Sequence, residues 1–333
     1  MQSWPALADT AKLLKTRGGR ETLFYYAAGG GGAVRDPAAK APLLVLIHGL
    51  GDEADSWRSL IPLLRERCRV LAPDLPGFGR SAAPGRIGIK RHIAAIVRLL
   101  EAEGAGPGNP AVLAGNSLGA LVAEGVAVSR PRLVKALILI DGCFPMGTKP
   151  DAGLLFLCLP FLGKRWYRRF RTDYEAAYRS LFPYYADFRA MAETERRFLR
   201  GRVIERVESE TQERAYFASL RSTVWTFLTA GPRWLKKLSA LLRGGVVPSR
   251  GGTGDASKRL LMIWGEKDVI MPQAAAKPLR EAFPEAAFTV VAGAGHLPHQ
   301  EKPAETAAAI LRFLDPDVGF GNYTGQQHLL SKG

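Results

Sequence analysis

Residues 110–120 restrict the possible fold more than any other stretch: Pro110-Ala111-Val112-Leu113-Ala114-Gly115-Asn116-Ser117-Leu118-Gly119-Ala120. They read as a short buried strand, a tight turn and the first turn of a helix, with one serine at the apex. Gly115-Asn116-Ser117-Leu118-Gly119 fits the pattern G-x-S-x-G, in which a side chain is held out on a sharp strand-to-helix turn. Such a turn strains the backbone of its apical residue. It also brings strand and helix so close that the positions two before and two after the apex hold almost no side chain. Gly115 and Gly119 occupy those positions, and Ala114 and Ala120 extend the small-residue zone. The helix that follows points its N-terminus at the serine, which favours negative charge developing there. Taken alone the pattern is common, but here an apolar run precedes it and Leu121-Val122-Ala123-Glu124 follows.

Strand and helix signals alternate around this elbow. Residues 1–22 read as a polar lead-in with a weakly amphipathic patch from Trp4 to Leu14, and Leu23–Ala28 as an edge strand. Pro42–Ile47 is a continuous apolar run, as expected of a parallel strand buried on both faces. A helix from about Ala54 to Arg67, a strand at Cys68–Ala72 and a helix within Ile87–Glu103 lead to the elbow and its helix, Leu118–Ser129. Val134–Asp141, Arg259–Trp264 and Ala287–Val291 read as further strands, with a helix around Gln273–Ala282. Pro303 suits the first position of a last helix reaching about Leu314. The pattern predicts an α/β fold with a mostly parallel central sheet flanked by helices. Polar and glycine-rich residues gather beyond the strands' C-terminal ends, where ligands bind in open α/β sheets.

Between Asp141 and Arg259 the alternation breaks. We expect a core built from residues 1–142 and 259–315, interrupted by a mainly helical cap at 143–258. That cap ends in a flexible glycine-rich return linker at 244–254, and residues 316–333 form a flexible tail.

The 333 residues suffice for one large domain or two modest ones. No apolar run is long enough to span a membrane. Met1–Arg20 lacks the apolar segment of a secretory signal. Cys68, Cys143 and Cys158 are too few and scattered for a disulfide framework or a metal site, so a reducing cytoplasm is the expected compartment.

The net charge of +15 is unusual, and residues 143–258 carry most of it, with 21 Lys and Arg against 11 Asp and Glu. An anionic partner or plain solubility accounts for it equally well; no nucleic-acid motif accompanies it. Within that segment, apolar Leu154–Leu162 precedes Lys164-Arg165-Trp166-Tyr167-Arg168-Arg169-Phe170-Arg171. This pair of stretches reads in two ways. One is an interfacial segment in peripheral contact with anionic lipid, with Trp166 and Tyr167 at headgroup level. The other is a cap helix that turns its apolar side to a pocket and a basic side to solvent.

A serine hydroxyl needs a base to take its proton, and the base needs a carboxylate to orient it. Among five histidines, His296 follows a buried strand and Gly293-Ala294-Gly295, after serine and acid in the chain order Ser–Asp–His. His48 precedes a glycine at a strand end, where structural packing is expected; His92 falls in a helix, His299 at the rim of the site and His328 in the tail. Asp268, after the strand ending at Trp264, is the favoured acid; Asp141 also ends a strand and is the alternative. Glu266 reads as a turn residue. The oxyanion hole requires backbone N–H groups, assigned to Leu118, just after the serine, and Leu50, after His48-Gly49.

The chain resembles the α/β-hydrolase superfamily, in the serine-nucleophile group with a helical cap inserted before the acid-bearing strand. The resemblance is carried by His48-Gly49-Leu50 with Trp57 nearby, Asp74-Leu75-Pro76-Gly77-Phe78-Gly79-Arg80-Ser81, Gly115-Asn116-Ser117-Leu118-Gly119, Gly265-Glu266-Lys267-Asp268 and Gly295-His296. It implies Ser117 as nucleophile, Asp268 as acid and His296 as base, with no metal or organic cofactor. Serine at the elbow, where some relatives carry aspartate, argues against haloalkane dehalogenase or epoxide hydrolase chemistry. Gly-Asn-Ser-Leu-Gly is similar to the elbow of hydrolases that cleave carbon–carbon bonds in ring-fission products, and it also occurs in esterases. The leading expectation is a hydrolase of small-molecule carboxylic esters, lipophilic in their acyl part, with Trp166 and Tyr167 as cap candidates for substrate contact. Carbon–carbon or amide hydrolysis on the same triad stays open, as does a non-catalytic ligand receptor.

Overall fold

The computed structural model describes residues 1–15, 19, 21–30, 41–82, 85–144, 152–243 and 260–315. The glycine-rich return stretch and the tail expected from the sequence lie outside the described residues. Eight strands form one sheet: β1 (Ala11–Lys15), β2 (Thr22–Ala28), β3 (Leu43–Ile47), β4 (Arg69–Pro73), β5 (Ala111–Asn116), β6 (Val134–Ile140), β7 (Leu260–Gly265) and β8 (Ala287–Val291). Their order is β1-β2-β4-β3-β5-β6-β7-β8. The pairs β1–β2 and β2–β4 are antiparallel, and every pairing from β4 to β8 is parallel.

The apolar runs explain the parallel strands. In β3, Leu43, Val45 and Ile47 face one hydrophobic cluster, while Leu44 and Leu46 face another on the opposite side. Each such fully buried side chain contributes about 1.5–3 kcal/mol. The first cluster is closed by α2 (Ile89–Ala102) and α3 (Leu118–Ser129), the second by α1 (Ile61–Leu64) and α11 (Pro303–Leu314). β3 has β4 on one side and β5 on the other, although both follow it in sequence. The chain therefore reverses its direction of winding at β3. In open α/β sheets such a reversal is where ligands bind, here beyond the C-terminal ends of β3 and β5.

Two expectations need correction. Leu23–Ala28 is not at the edge: β2 is internal, covered by β1, whose burial pattern carries no alternation of apolar residues. The stretch Ala54–Arg67 is not one helix but a 3-10 turn at Ala54–Trp57 followed by α1, restarted at Pro62. Asp55, Ser56 and Trp57 are buried, and their side-chain partners rather than helix periodicity fix that turn.

Between β6 and β7 the chain makes α4 (Ala152–Cys158), α5 (Leu162–Arg168), α6 (Tyr174–Arg179), α7 (Glu193–Glu208) and the long α8 (Glu210–Arg243). Leu238, Leu241 and Leu242 at the end of α8 join the core cluster under α2 and α3. Buried Glu124 on α3 ties the insertion down further, accepting the Phe144 N–H and the indole N–H of Trp234 on α8, both at 3.0 Å. Burial pushes its carboxyl up to about 8. After β7 come α9 (Lys277–Ala282), β8, α10 (Pro298–Glu301) and α11. No helix of the described residues is long and apolar enough to cross a membrane.

Candidate active site

Ser117 sits between the last residue of β5 and the first of α3, with φ 52° and ψ −115°. That is a left-handed backbone for a non-glycine residue, a strain of about 1–3 kcal/mol held by its surroundings. The flanking glycines are required by contact. A Cβ on Gly115 would lie 2.2 Å from the carbonyl oxygen of Gly119, and one on Gly119 would lie 2.1 Å from that of Ile47 in β3. The Ser117 N–H donates to the carbonyl of Ile140 at 3.0 Å, fastening the apex to β6.

His296 follows β8 and is buried; its Nδ1–H donates to Asp268 Oδ2 at 2.8 Å. This bond assigns the tautomer and leaves Nε2 as a proton acceptor. The other carboxylate oxygen of Asp268 accepts the amides of Ile270 and Met271 at 2.8 and 2.9 Å. The main chain of His296 is held from both sides. Its N–H donates to the carbonyl of Tyr184 at 2.9 Å, and its carbonyl accepts Asn116 Nδ2–H at 3.1 Å. Asn116 also donates to the Ile140 carbonyl at 3.2 Å, so the residue before the serine links the elbow to the histidine loop.

Asp141 stands behind this pair. Its Oδ1 accepts the Gly265 N–H at 2.7 Å, and the acidic and imidazole atoms of Asp141, Asp268 and His296 lie within 4.8 Å of one another. Burial first, then the charge of Asp268, holds the Asp141 carboxyl well above the usual carboxylate range, which favours its neutral form. The two candidate acids thus separate: the histidine hydrogen bond belongs to Asp268. The trio makes a poor cation site, because His296 Nδ1 and both Asp268 oxygens are already engaged.

The loop after β3 runs alongside the serine. A Cβ on Gly49 would lie 3.5 Å from Ser117 Cβ, which places the main chain leading to Leu50 at the serine's flank. His48 braces this loop, its Nδ1–H donating to the Gly49 carbonyl and its Nε2 accepting the Leu75 N–H, each at 2.8 Å. Burial lowers its pKa, which keeps the ring neutral for both bonds. On the other flank Leu118 opens α3, where the first amides of a helix have no partner within it.

Residues 44–309 match the model of the alpha/beta hydrolase family. The chain belongs to that family. Among relatives, the biotin biosynthesis bifunctional protein BioHC of Cellvibrio japonicus is 26% identical over 274 residues, 82% of this chain and 48% of that protein. The chain spans about half the length of that relative and of its counterpart from Teredinibacter turnerae, where the share is 45%. A membrane phospholipase A described as a bacterial virulence factor superposes with a TM-score of 0.64 at 23% identity, over 92% of this chain and 86% of that one. The 2-hydroxy-6-oxo-6-phenylhexa-2,4-dienoate hydrolase of Rhodococcus gives 0.64 at 22% identity, over 92% and 99%. At such identities the likeness is one of fold.

In this alpha/beta hydrolase the other described histidines, His48, His92 and His299, are internal. His299 is not at a rim. It is fully buried, shares a 2.9 Å hydrogen bond with Ser56 Oγ and lies over Trp57 with ring centroids 4.1 Å apart. Burial lowers its pKa to about 3, as it does for His92, which bonds Ser219 Oγ at 2.7 Å. Glu266 is exposed and caps the turn at Gly293, accepting its N–H at 2.8 Å. His328 lies outside the described residues.

The insertion brings tyrosines to the site. Tyr184 packs against His296, ring centroids 5.7 Å apart, and Tyr216 of α8 lies where a Cβ on Gly51 would approach it to 3.2 Å. Tyr167 stacks on Tyr216 at 5.5 Å. Trp166 turns instead into the insertion's own cluster, against Phe170 and under the Arg169 guanidinium. Tyr184, Tyr216 and Asn116 were not singled out from sequence: the tyrosines sit among many aromatics, and Asn116 holds a position that G-x-S-x-G leaves open. A separate cavity of about 620 Å³ between α9 and β8, lined by Met262, Lys277, Phe283 and Phe288, touches none of these residues.

Proposed function

We propose that this alpha/beta hydrolase cleaves carboxylic esters through an acyl-enzyme. The observation that carries the reading is the buried His296–Asp268 hydrogen bond, on a loop tied through Asn116 to the elbow that strains Ser117 at its tip. Ser117 Oγ attacks the carbonyl carbon while its proton passes to His296 Nε2, and Asp268 stabilises the imidazolium. The oxyanion is received by the amides of Leu118 and Leu50. Collapse breaks the carbon–oxygen bond and returns the proton to the departing alcohol; water then repeats the sequence on the acyl-serine. Tyr184, Tyr216 and Tyr167 suit a lipophilic acyl group, since their rings bring apolar area up to the crevice.

A second reading has its own support. The Gly-Asn-Ser-Leu-Gly elbow, with Asn116 bonded across to His296, and the fold likeness to a dienoate hydrolase suit carbon–carbon cleavage. A hydrolysis profile on p-nitrophenyl esters from acetate to palmitate, beside a ring-fission dienoate, separates the two. Ester turnover that peaks at medium or long chains supports the proposal. Turnover of the dienoate alone sinks it.

Asp141 offers a sharper check on the acid. Asp141→Asn leaves the His296–Asp268 bond in place and keeps an acceptor for the Gly265 N–H, so ester turnover is expected to stay within about threefold of wild type. A loss of about a hundredfold or more would move the acid's role to Asp141.

A further inference from the structure

We propose that the outer face of α4, α5 and α8 is a docking surface for an anionic lipid bilayer. Of the twelve exposed large hydrophobic residues among those described, seven lie on this face, including Leu159, Phe161, Leu162, Trp225 and Leu228. Phe161 is 85% and Trp225 69% exposed, far beyond what a scattered surface residue needs. Phe161 also has φ 66°, a left-handed backbone that a bulky aromatic rarely adopts.

The face is one surface. α4 and α5 pack on each other so closely that a Cβ on Gly163 would lie 2.2 Å from the Leu157 carbonyl. Arg221 of α8 donates to the Cys158 carbonyl at 3.1 Å, one turn before Trp225. α8 carries Tyr216 against Gly51 and, about two and a half turns on, Trp225 at the surface, so docking would set the crevice close to the bilayer.

Charge selects the partner. Residues 152–171 and 214–243 contain no Asp or Glu, and each stretch carries several Lys and Arg. Arg165, Arg169, Arg233, Lys236 and Lys237 are exposed. Arg168 and Arg171 are engaged with Glu213 and add less. A second copy on a two-fold axis would set this positive face against itself, whereas anionic headgroups complement it. The anchors are Phe161 and Trp225 rather than Trp166 and Tyr167, which are packed inside the insertion. No helix of the described residues is long and apolar enough to span, and the contact proposed is interfacial.

The test uses the full chain in sedimentation with vesicles of phosphatidylcholine alone or mixed with phosphatidylglycerol. Expected is at least about tenfold stronger partitioning to the anionic vesicles, falling as salt is raised. The triple variant Phe161→Ser, Trp225→Ser, Leu228→Ser loses at least about tenfold of that binding. Lys236→Glu with Lys237→Glu weakens binding to anionic vesicles. Both variants keep the wild-type melting temperature and the turnover of a short water-soluble ester, a readout that belongs to the ester proposal and fails separately from docking. Wild-type protein that stays in the supernatant with both vesicles overturns the inference, and so does a triple variant that binds as wild type. A light-scattering mass that falls from dimer to monomer in the triple variant also overturns it, in favour of a second copy.

Discussion

Ser117→Ala is expected to leave a folded protein whose ester turnover is lower by about 10⁴-fold or more. Alanine keeps the Cβ that the left-handed apex already accommodates and removes only the hydroxyl, so melting temperature and substrate affinity should change little. The size of the loss follows from the proposed mechanism, in which the three side chains act as one unit. Without Oγ, His296 has no proton to accept, and its bond to Asp268 stabilises nothing that develops during the reaction. For the same reason the effects do not add: Ser117→Ala with His296→Ala should be no worse than either alone. Asp268→Asn is expected to approach the same loss, because an amide at the Oδ2 position cannot hold the Nδ1–H tautomer seen at 2.8 Å. Single-turnover kinetics with a p-nitrophenyl ester read all four variants. Residual activity within tenfold of wild type in Ser117→Ala would mean that another group attacks the ester.

The elbow was legible because each of its residues is dictated locally. Gly115 and Gly119 are small because strand and helix touch, and Ser117 stands where only the turn can hold it out. The strands β3, β5, β6 and β7 were legible because burial on both faces writes an unbroken apolar run. β1 left no such trace: Ala11–Lys15 is largely exposed, and its strand form comes from pairing with β2. His299 illustrates the opposite failure. Near a candidate base in sequence, it looked like a rim residue, but the turn at Pro298 carries it inward onto Trp57. Asn116 and Tyr184 could not be assigned, since their partners on the His296 main chain are remote in sequence. The link between the insertion and the core was invisible for the same reason, for it is made of ion pairs between distant segments. Arg206 of α7 reaches Asp52 at 2.6 Å and Glu53 at 2.8 Å, while Arg58 pairs with Glu195.

Asp55 is the centre of that link, and Asp55→Ala is expected to destabilise the protein by about 3–5 kcal/mol. Its carboxylate is fully buried and meets two guanidinium groups, Arg202 of α7 at 2.8 Å and Arg80 at 3.2 Å, and it accepts the hydroxyl of Tyr26. Burial pushes that phenol up to about 12, so Tyr26 stays a donor. Removing the carboxylate leaves two arginines in a buried setting with one anion fewer and a phenol without its acceptor; that residual charge, more than the lost attraction, sets the cost. Arg80 retains Asp74, and Arg202 retains Glu205 and the Gln2 carbonyl, which keeps the loss from being larger. Arg202→Met should cost less than Asp55→Ala, since Asp55 would still hold Arg80 and Tyr26. Urea unfolding of both variants checks the order, and a loss below about 1 kcal/mol for Asp55→Ala would mean that water screens the cluster. Function should follow stability here. Asp55 lies in the same loop as Leu50, so slackening its anchor on α7 moves the amide proposed as an oxyanion donor, and kcat should fall more than KM rises.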